Sequence, residues 1–316
     1  MIEFIVRRLL VALPVLLLVS LISASIMELV PGDPASLIAG QSASDLDIAK
    51  VREQLGLNRP FAARLGDWYL ALIRGDLGNS ILLNRPVTQA IAERVPTSMA
   101  LAGFALLLTV GIGLPCGVIA AVYANTWIDQ AILTFALIGV SVPNFWLGLM
   151  LIVLFGVMLD WLPAGGYVPF ADDPVAWAKC LILPGISLAL LQVGLLARIT
   201  RATMLEVLQQ DYVRTARAKG LPVVLVVGKH ALKNVLVPVI TVIGISFGLL
   251  LSGSVVIETV YSIPGMGRLL ANAVFGRDYP LIQGGLLVTA AVLVLLNVVV
   301  DVLYAVVDPR VKYGRG

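Results

Sequence analysis

Residues 234–257 read NVLVPVITVIGISFGLLLSGSVVI, a run without one charged side chain. About 20 mainly apolar residues suffice for a helix to cross the hydrocarbon core of a bilayer. The run is continuous in Val, Ile and Leu, without the strict alternation of a barrel strand. In lipid the backbone must satisfy its own polar groups, and a continuous apolar run does so as a helix. Pro238 is no obstacle, because neighbouring helices can satisfy a carbonyl that it frees. This stretch sets the fold class: an all-α integral membrane protein.

The same pattern recurs along the chain. Charge-free windows run Leu9–Met27, Val95–Ile128, Gln130–Leu159, Cys180–Ala197 and Tyr279–Val300. Together they predict six transmembrane helices at about 9–30, 97–123, 130–159, 180–203, 234–257 and 281–305. The Cys180 window is short but extends, since Arg198 can snorkel to the interface. Composition agrees: 59% hydrophobic and 13% charged residues, with a mean hydropathy of +0.98. Soluble domains run roughly 45–50% apolar and about 25% charged, so a soluble enzyme is excluded. Two cysteines and one histidine leave no ligand set for a zinc or iron–sulfur site. A net charge of +3 is too small to imply nucleic acid. Arg7, Arg8 and the small residues Ser23–Ser25 resemble a cleavable signal. The apolar run continues to Val30, which suits a retained anchor.

Basic residues set the orientation. With helix 1 entering from inside, the inner segments carry twelve lysines and arginines and the short outer loops three, Lys179, Arg268 and Arg277. Both termini are expected in the cytoplasm. The long segment 31–96 is then an extracytoplasmic cap between helices 1 and 2. Asp45–Leu55 and Phe61–Ile73 read as short amphipathic helices within it. Trp68, Tyr69, Leu70 and Leu72 argue against a merely solvated linker.

The inner segment 204–233 has two parts. Glu206–Lys219 reads as a polar helix extending span 4, stopped by Gly220 and Pro222. Leu221–Val227 is apolar but too short to cross a membrane. It is either a protein docking surface or a stretch tucked against the bundle or the headgroups. The outer segment Glu258–Gln283 reads as a structured loop.

There is no Gly-x-x-x-x-Gly-Lys-Ser/Thr loop, so ATP is not bound here by that route. Gly244-Ile245-Ser246-Phe247-Gly248 matches a nucleophile elbow, but inside span 5 it reads as small residues packing helices. Gly113 and Gly117 form a similar pair. Polar groups at membrane depth are few: Asn144, Gln192 and Asn297, with Asp301 near the inner end of span 6. Asp301 is expected to pair with an arginine such as Arg198 or Arg201. Asn144 and Gln192 are the candidates for a substrate path. Without a row of carboxylates a proton-coupled secondary carrier is disfavoured.

One ordered set of motifs is far more specific. Asp211-Tyr212-Val213-Arg214-Thr215-Ala216-Arg217-Ala218-Lys219-Gly220, followed by His230-Ala231-Leu232-Lys233-Asn234, resembles the "EAA" loop of ABC-importer membrane subunits. Pro31-Gly32-Asp33-Pro34, Gly75-Asp76-Leu77-Gly78, Ser141-Val142-Pro143-Asn144, Glu258–Gly267, Arg277-Asp278-Tyr279-Pro280 and Asp308-Pro309-Arg310 extend the likeness over nearly the whole chain. In this order they resemble the first permease subunit of dipeptide, oligopeptide and nickel importers.

The resemblance implies a type I importer fold in a bacterial inner membrane. It also implies a non-catalytic subunit with no cofactor of its own. The implied partners are a homologous second permease, two ATPase subunits that bind ATP and Mg, and an extracytoplasmic substrate-binding protein. Asp211, Thr215, Ala216, Arg217, Ala218, Lys219, Gly220, Leu221, His230 and Asn234 would form the ATPase-coupling element. Ala216 and Ala218 are small enough for close contact there, and Arg217 and Lys219 can reach carboxylates. Peptides are the expected substrates, with nickel chelates, glutathione or opines as family alternatives. One departure stands out. Pro222–Val227 is apolar where the family usually carries polar and basic residues.

Overall fold

Proline and glycine punctuate the long apolar runs, and most of the helix boundaries follow them. The computed structural model describes residues 2–29, 35–36, 44–54 and 56–307. The expected motifs at 31–34 and 308–310, and the expected end of a cap helix at 55, lie outside the described residues. Helix α1 spans Ile2–Leu29, α2 Asp45–Gln54 and α3 Phe61–Ile73. A minimal hairpin follows, β1 Asn79–Ser80 against β2 Arg85–Pro86, antiparallel with Asn79 opposite Pro86. Next come α4 Val87–Val122, α5 Trp127–Ser141 and α6 Asn144–Met158, whose last turns from Ile152 are π-helical. Helix α7 is Pro174–Leu208, α8 Asp211–Ala218 and α9 Val223–Val260. The chain closes with α10 Met266–Phe275 and α11 Tyr279–Val307.

Three expectations change. The window 130–159 is not one helix: α5 and α6 meet at a 99° bend. Pro143 has no N–H to continue the ladder, and it holds Val142 in an extended conformation (φ −83°, ψ 124°). Among the described residues five helices are long and apolar enough to cross a membrane, and six if this bent pair counts as one span. Second, the polar helix 206–219 is broken. Gln210 is extended (ψ 149°) between α7 and α8. A straight continuation would leave Val213 and Ala216 without the cover they find after the turn. Third, the apolar stretch 221–227 is no loop. From Val223 onward it forms the first turns of α9, which absorbs Gly228 and Lys229 in a π-helical segment at Val226–Ala231.

The chain divides into two compact units, Met1–Pro96 with Arg268–Leu295, and Thr97–Gly267 with Leu296–Gly316. In the first, Ser20 of α1 shares a hydrogen bond with the Tyr69 hydroxyl of α3 at 2.8 Å. Trp68 and Leu72 are half-buried, whereas Leu70 is exposed. Buried Asp278 accepts hydrogen bonds from the Ser80 hydroxyl and from the backbone of Leu82 and Leu281, so it ties the hairpin to the start of α11.

In the second unit, helices approach through glycine. A side chain at Gly113 would meet Leu196, and one at Gly117 would meet Thr200 and the Ala197 carbonyl, which brings α4 onto α7. This is internal packing by a small-residue pair. Gly244 of α9 likewise accommodates Val300 of α11. The core holds Leu181, Leu183, Leu188, Leu250, Ile257 and Tyr261. The Tyr261 hydroxyl donates to the Gly148 carbonyl at 3.0 Å and lies 3.2 Å from the Ser187 hydroxyl, so it pins the bent α6 to the bundle.

Candidate coupling site

Helix α8 is short and sharply two-faced. Val213 and Ala216, three residues apart, lie on its buried side. They pack with Val226 of α9, and Leu208 and Leu221 close the cluster. The opposite side shows Asp211, Tyr212, Arg214, Thr215, Arg217 and Ala218. Asp211 and Arg214 form a loose pair at 3.9 Å, exposed on both sides, worth about 0.3 kcal/mol. The Thr215 hydroxyl donates to the Asp211 carbonyl at 2.9 Å and stays within its own helix.

The chain leaves α8 through Lys219 and Gly220. Gly220 sits at φ +75°, where a side chain is strained, and its N–H donates to the Arg217 carbonyl at 2.9 Å. The turn carries the chain into α9, where Val223, Val224 and Leu225 are 59%, 81% and 48% exposed. The apolar stretch therefore divides by exposure. Val226 is tucked away, and the preceding three face outward.

Most of the expected coupling residues come together here. Ala216 is the correction: it was expected on the contact face, yet it is 6% exposed and seats the helix on its own chain. Ala218, Arg217 and Lys219 remain outside. His230 is half-buried, and its carbonyl accepts from the Asn234 amide at 3.3 Å. That amide also donates to the Tyr212 hydroxyl at 2.7 Å, which ties α8 to α9. Tyr212 was not singled out from sequence, since a lone aromatic 22 residues from its partner gives no local signal.

The expected substrate-path residues do not form a pair. Gln192 is buried and accepts a 3.0 Å hydrogen bond from Ser246, so it serves as a strut between α7 and α9. The same bond uses the hydroxyl of the elbow-like sequence, deep in a helix with no strand–turn–helix around it. Asn144 is half-buried at the first turn of α6, beside the bend. Arg201, expected to be available to Asp301, is instead forked onto Asp129.

A further polar cluster is not visible from the sequence alone. Glu258 is fully buried near the end of α9 and accepts from the Ser98 hydroxyl at 2.6 Å and the Ser254 hydroxyl at 3.0 Å. Ser98 accepts in turn from the Met266 N–H at 2.7 Å. Gly265 leaves room for that carboxyl, because a Cβ there would fall 2.2 Å from Glu258 Cδ. The loop 261–267 is thus stapled to α4 and α9.

Helices this long and apolar define an integral membrane protein. Residues 1–102 match the N-terminal model, and 113–313 the main model, of the binding-protein-dependent transport system inner membrane component; the chain belongs to that family. It is 48% identical over 313 residues to a protein of Brucella abortus described as a peptide transport system permease, covering 99% of this chain and all of that one. It is 41% identical to the dipeptide transport system permease protein DppB of Alkalihalophilus pseudofirmus and 42% to the glutathione transport system permease protein GsiC of Escherichia coli, each over 99% of this chain and the whole relative. Among solved structures, the inward-facing MetNI methionine ABC transporter matches with a TM-score of 0.59 at 18% identity, covering 70% of this chain and 97% of that one. This last likeness concerns the fold alone.

Proposed function

We propose that this chain is the membrane-spanning subunit of an ATP-driven, binding-protein-dependent importer of di- or oligopeptides. ATP is hydrolysed with Mg on two separate subunits, a homologous second permease completes the pathway, and an extracytoplasmic binding protein delivers substrate. Both termini lie in the cytoplasm, in keeping with the bias of basic residues toward the inner segments. The observation that carries the reading is the seated helix α8. It exposes Arg217 and Lys219, and the chain runs on within a few residues into the exposed Val223–Leu225, so charged and apolar side chains are both available on this segment. Closure of the ATPases on ATP would draw this segment inward and rock the bundle between its two open forms. Peptides are favoured because the relatives at 48% and 41% identity are named for peptide and dipeptide transport. Glutathione, itself a small peptide, falls within that class.

The test is purification of the chain with its neighbours from native membranes, identification of the ligand on the co-purified binding protein, and reconstitution. ATP hydrolysis is expected to rise when peptide-loaded binding protein is added. Transport by the purified chain alone would favour a secondary carrier instead. Within the working complex, Val224→Asp is expected to lower substrate-stimulated hydrolysis about tenfold, because it puts a charge in the apolar part of this segment. Unchanged coupling in vesicles would refute a docking role for Val224.

A further inference from the structure

We propose that Asp129 and Arg201 form a positioning joint that locks the register of α5 on α7, so that displacement of α8 reaches the bend at Val142–Pro143. The inference rests on the importer reading above.

Helices α5 and α7 run antiparallel in close contact. A side chain at Gly139 would meet the Leu190 carbonyl at 3.0 Å, and one at Gly194 would meet the Ala136 carbonyl at 2.5 Å. Further along the same seam, Arg201 forks onto Asp129: Nε donates to Oδ1 and Nη2 to Oδ2, both at 2.6 Å. The pairs 139–190, 136–194 and 129–201 keep one antiparallel register. Asp129 is 2% exposed and also accepts the Asn125 N–H at 2.9 Å, from a turn where Asn125 adopts φ +62°. Three donors therefore fix one carboxylate.

Gly139 and Gly194 let the two helices approach closely, with the Leu190 and Val140 side chains set into the gaps. A two-bond fork is directional and resists both translation and rotation. Its place also matters. Arg201 lies two turns before the end of α7, just ahead of α8, and Asp129 lies in the first turn of α5, whose far end is the 99° bend. Stability alone is a poor reason for such a pair, since well-packed apolar residues usually serve as well as a buried ion pair. An ionisable pair at the edge of a membrane-spanning helix points to function.

The test uses the reconstituted complete complex. Arg201→Lys keeps the charge and loses the fork; Asp129→Asn keeps the shape and loses the charge. Each is expected to assemble and to lower substrate moved per ATP about tenfold, with the KM for peptide nearly unchanged. Asp129→Leu with Arg201→Met refills the seam without a fork. It is expected to restore assembly wherever a single variant loses it, and to leave coupling low. Wild-type coupling in any assembled variant overturns the joint.

A second measurement needs no disruption of the pair. Spin labels go at the exposed positions Trp127 and Ala202, with Cys116 and Cys180 replaced by serine. Their separation is expected to be the same in nucleotide-free and ATP-trapped complexes, and a shift of several ångströms would overturn the proposal. A wild-type complex that moves no peptide defeats the importer reading instead, so the two failures are distinguishable.

Discussion

Gly117→Val is expected to remove most of the folded protein from the membrane fraction and to lower the Tm of what remains. The cause is local. A Cβ at 117 would fall 2.5 Å from Thr200 Cβ and 2.6 Å from the Ala197 carbonyl oxygen. Neither atom is the loose end of a side chain. One is the root of a buried threonine, and the other is helix backbone. Relief requires α4 and α7 to separate. That exposes the seam running up through Gly113, where Leu196 and the Val193 carbonyl sit 3.1 Å from the same hypothetical atom. Overpacking a tight core site costs about 1–3 kcal/mol, and a contact against backbone belongs at the top of that range or above it. Thermal unfolding in detergent, followed by tryptophan emission, measures the change. Gly111→Ala is the control: nothing lies within 4 Å of its Cβ position, so it is expected to be neutral or slightly stabilising. A wild-type Tm for Gly117→Val would show that the two helices do not depend on this contact.

How much of this was legible in the chain differs by scale. The helical membrane class followed from charge-free runs, since lipid leaves the backbone few alternatives. The amphipathic helix at Phe61–Ile73 appears where its periodicity placed it. Breaks were harder. Pro143 lies in the open, but proline in a membrane helix can kink it gently or end it, and only tertiary contacts decide. Here Tyr261 grips the Gly148 carbonyl across more than a hundred residues and holds the bend. At Gln210 no breaker marks the end of α7; the turn lets Val213 and Ala216 bury against Val226. In the candidate site the residue types were visible and their facing was not. Ala216 and Ala218 look alike as letters, yet one seats the helix and the other faces out. The ties that Asp129, Glu258 and Asp278 make across the fold carried no local signal, because Arg201, Ser98 and Ser80 lie 72, 160 and 198 residues away from them.

The double reversal Arg217→Glu with Lys219→Glu is expected to cut peptide transport by the reconstituted complex at least tenfold without lowering the yield of the permease. Both side chains are exposed, and neither makes an ion pair among the described residues, so their loss removes nothing that holds this chain together. Arg214 differs, for its charge is already shared with Asp211. Arg214→Glu alone is therefore expected to have a smaller effect, within about threefold. If α8 docks on an acidic patch of an ATPase, each reversal turns an attraction into a like-charge contact, which costs several kcal/mol at a desolvated interface and less at its rim. Two rim reversals at about 1 kcal/mol each already exceed tenfold in affinity. Salt supplies the sign check. Screening weakens an attraction and also weakens a repulsion. Raising the ionic strength should then lower substrate-stimulated hydrolysis in the wild type and narrow the gap to the double variant. A gap that stays constant from about 0.05 to 0.5 M salt would show that these charges do not meet an opposite charge on the partner. Docking would then rest on the apolar surface at Val223–Leu225 instead.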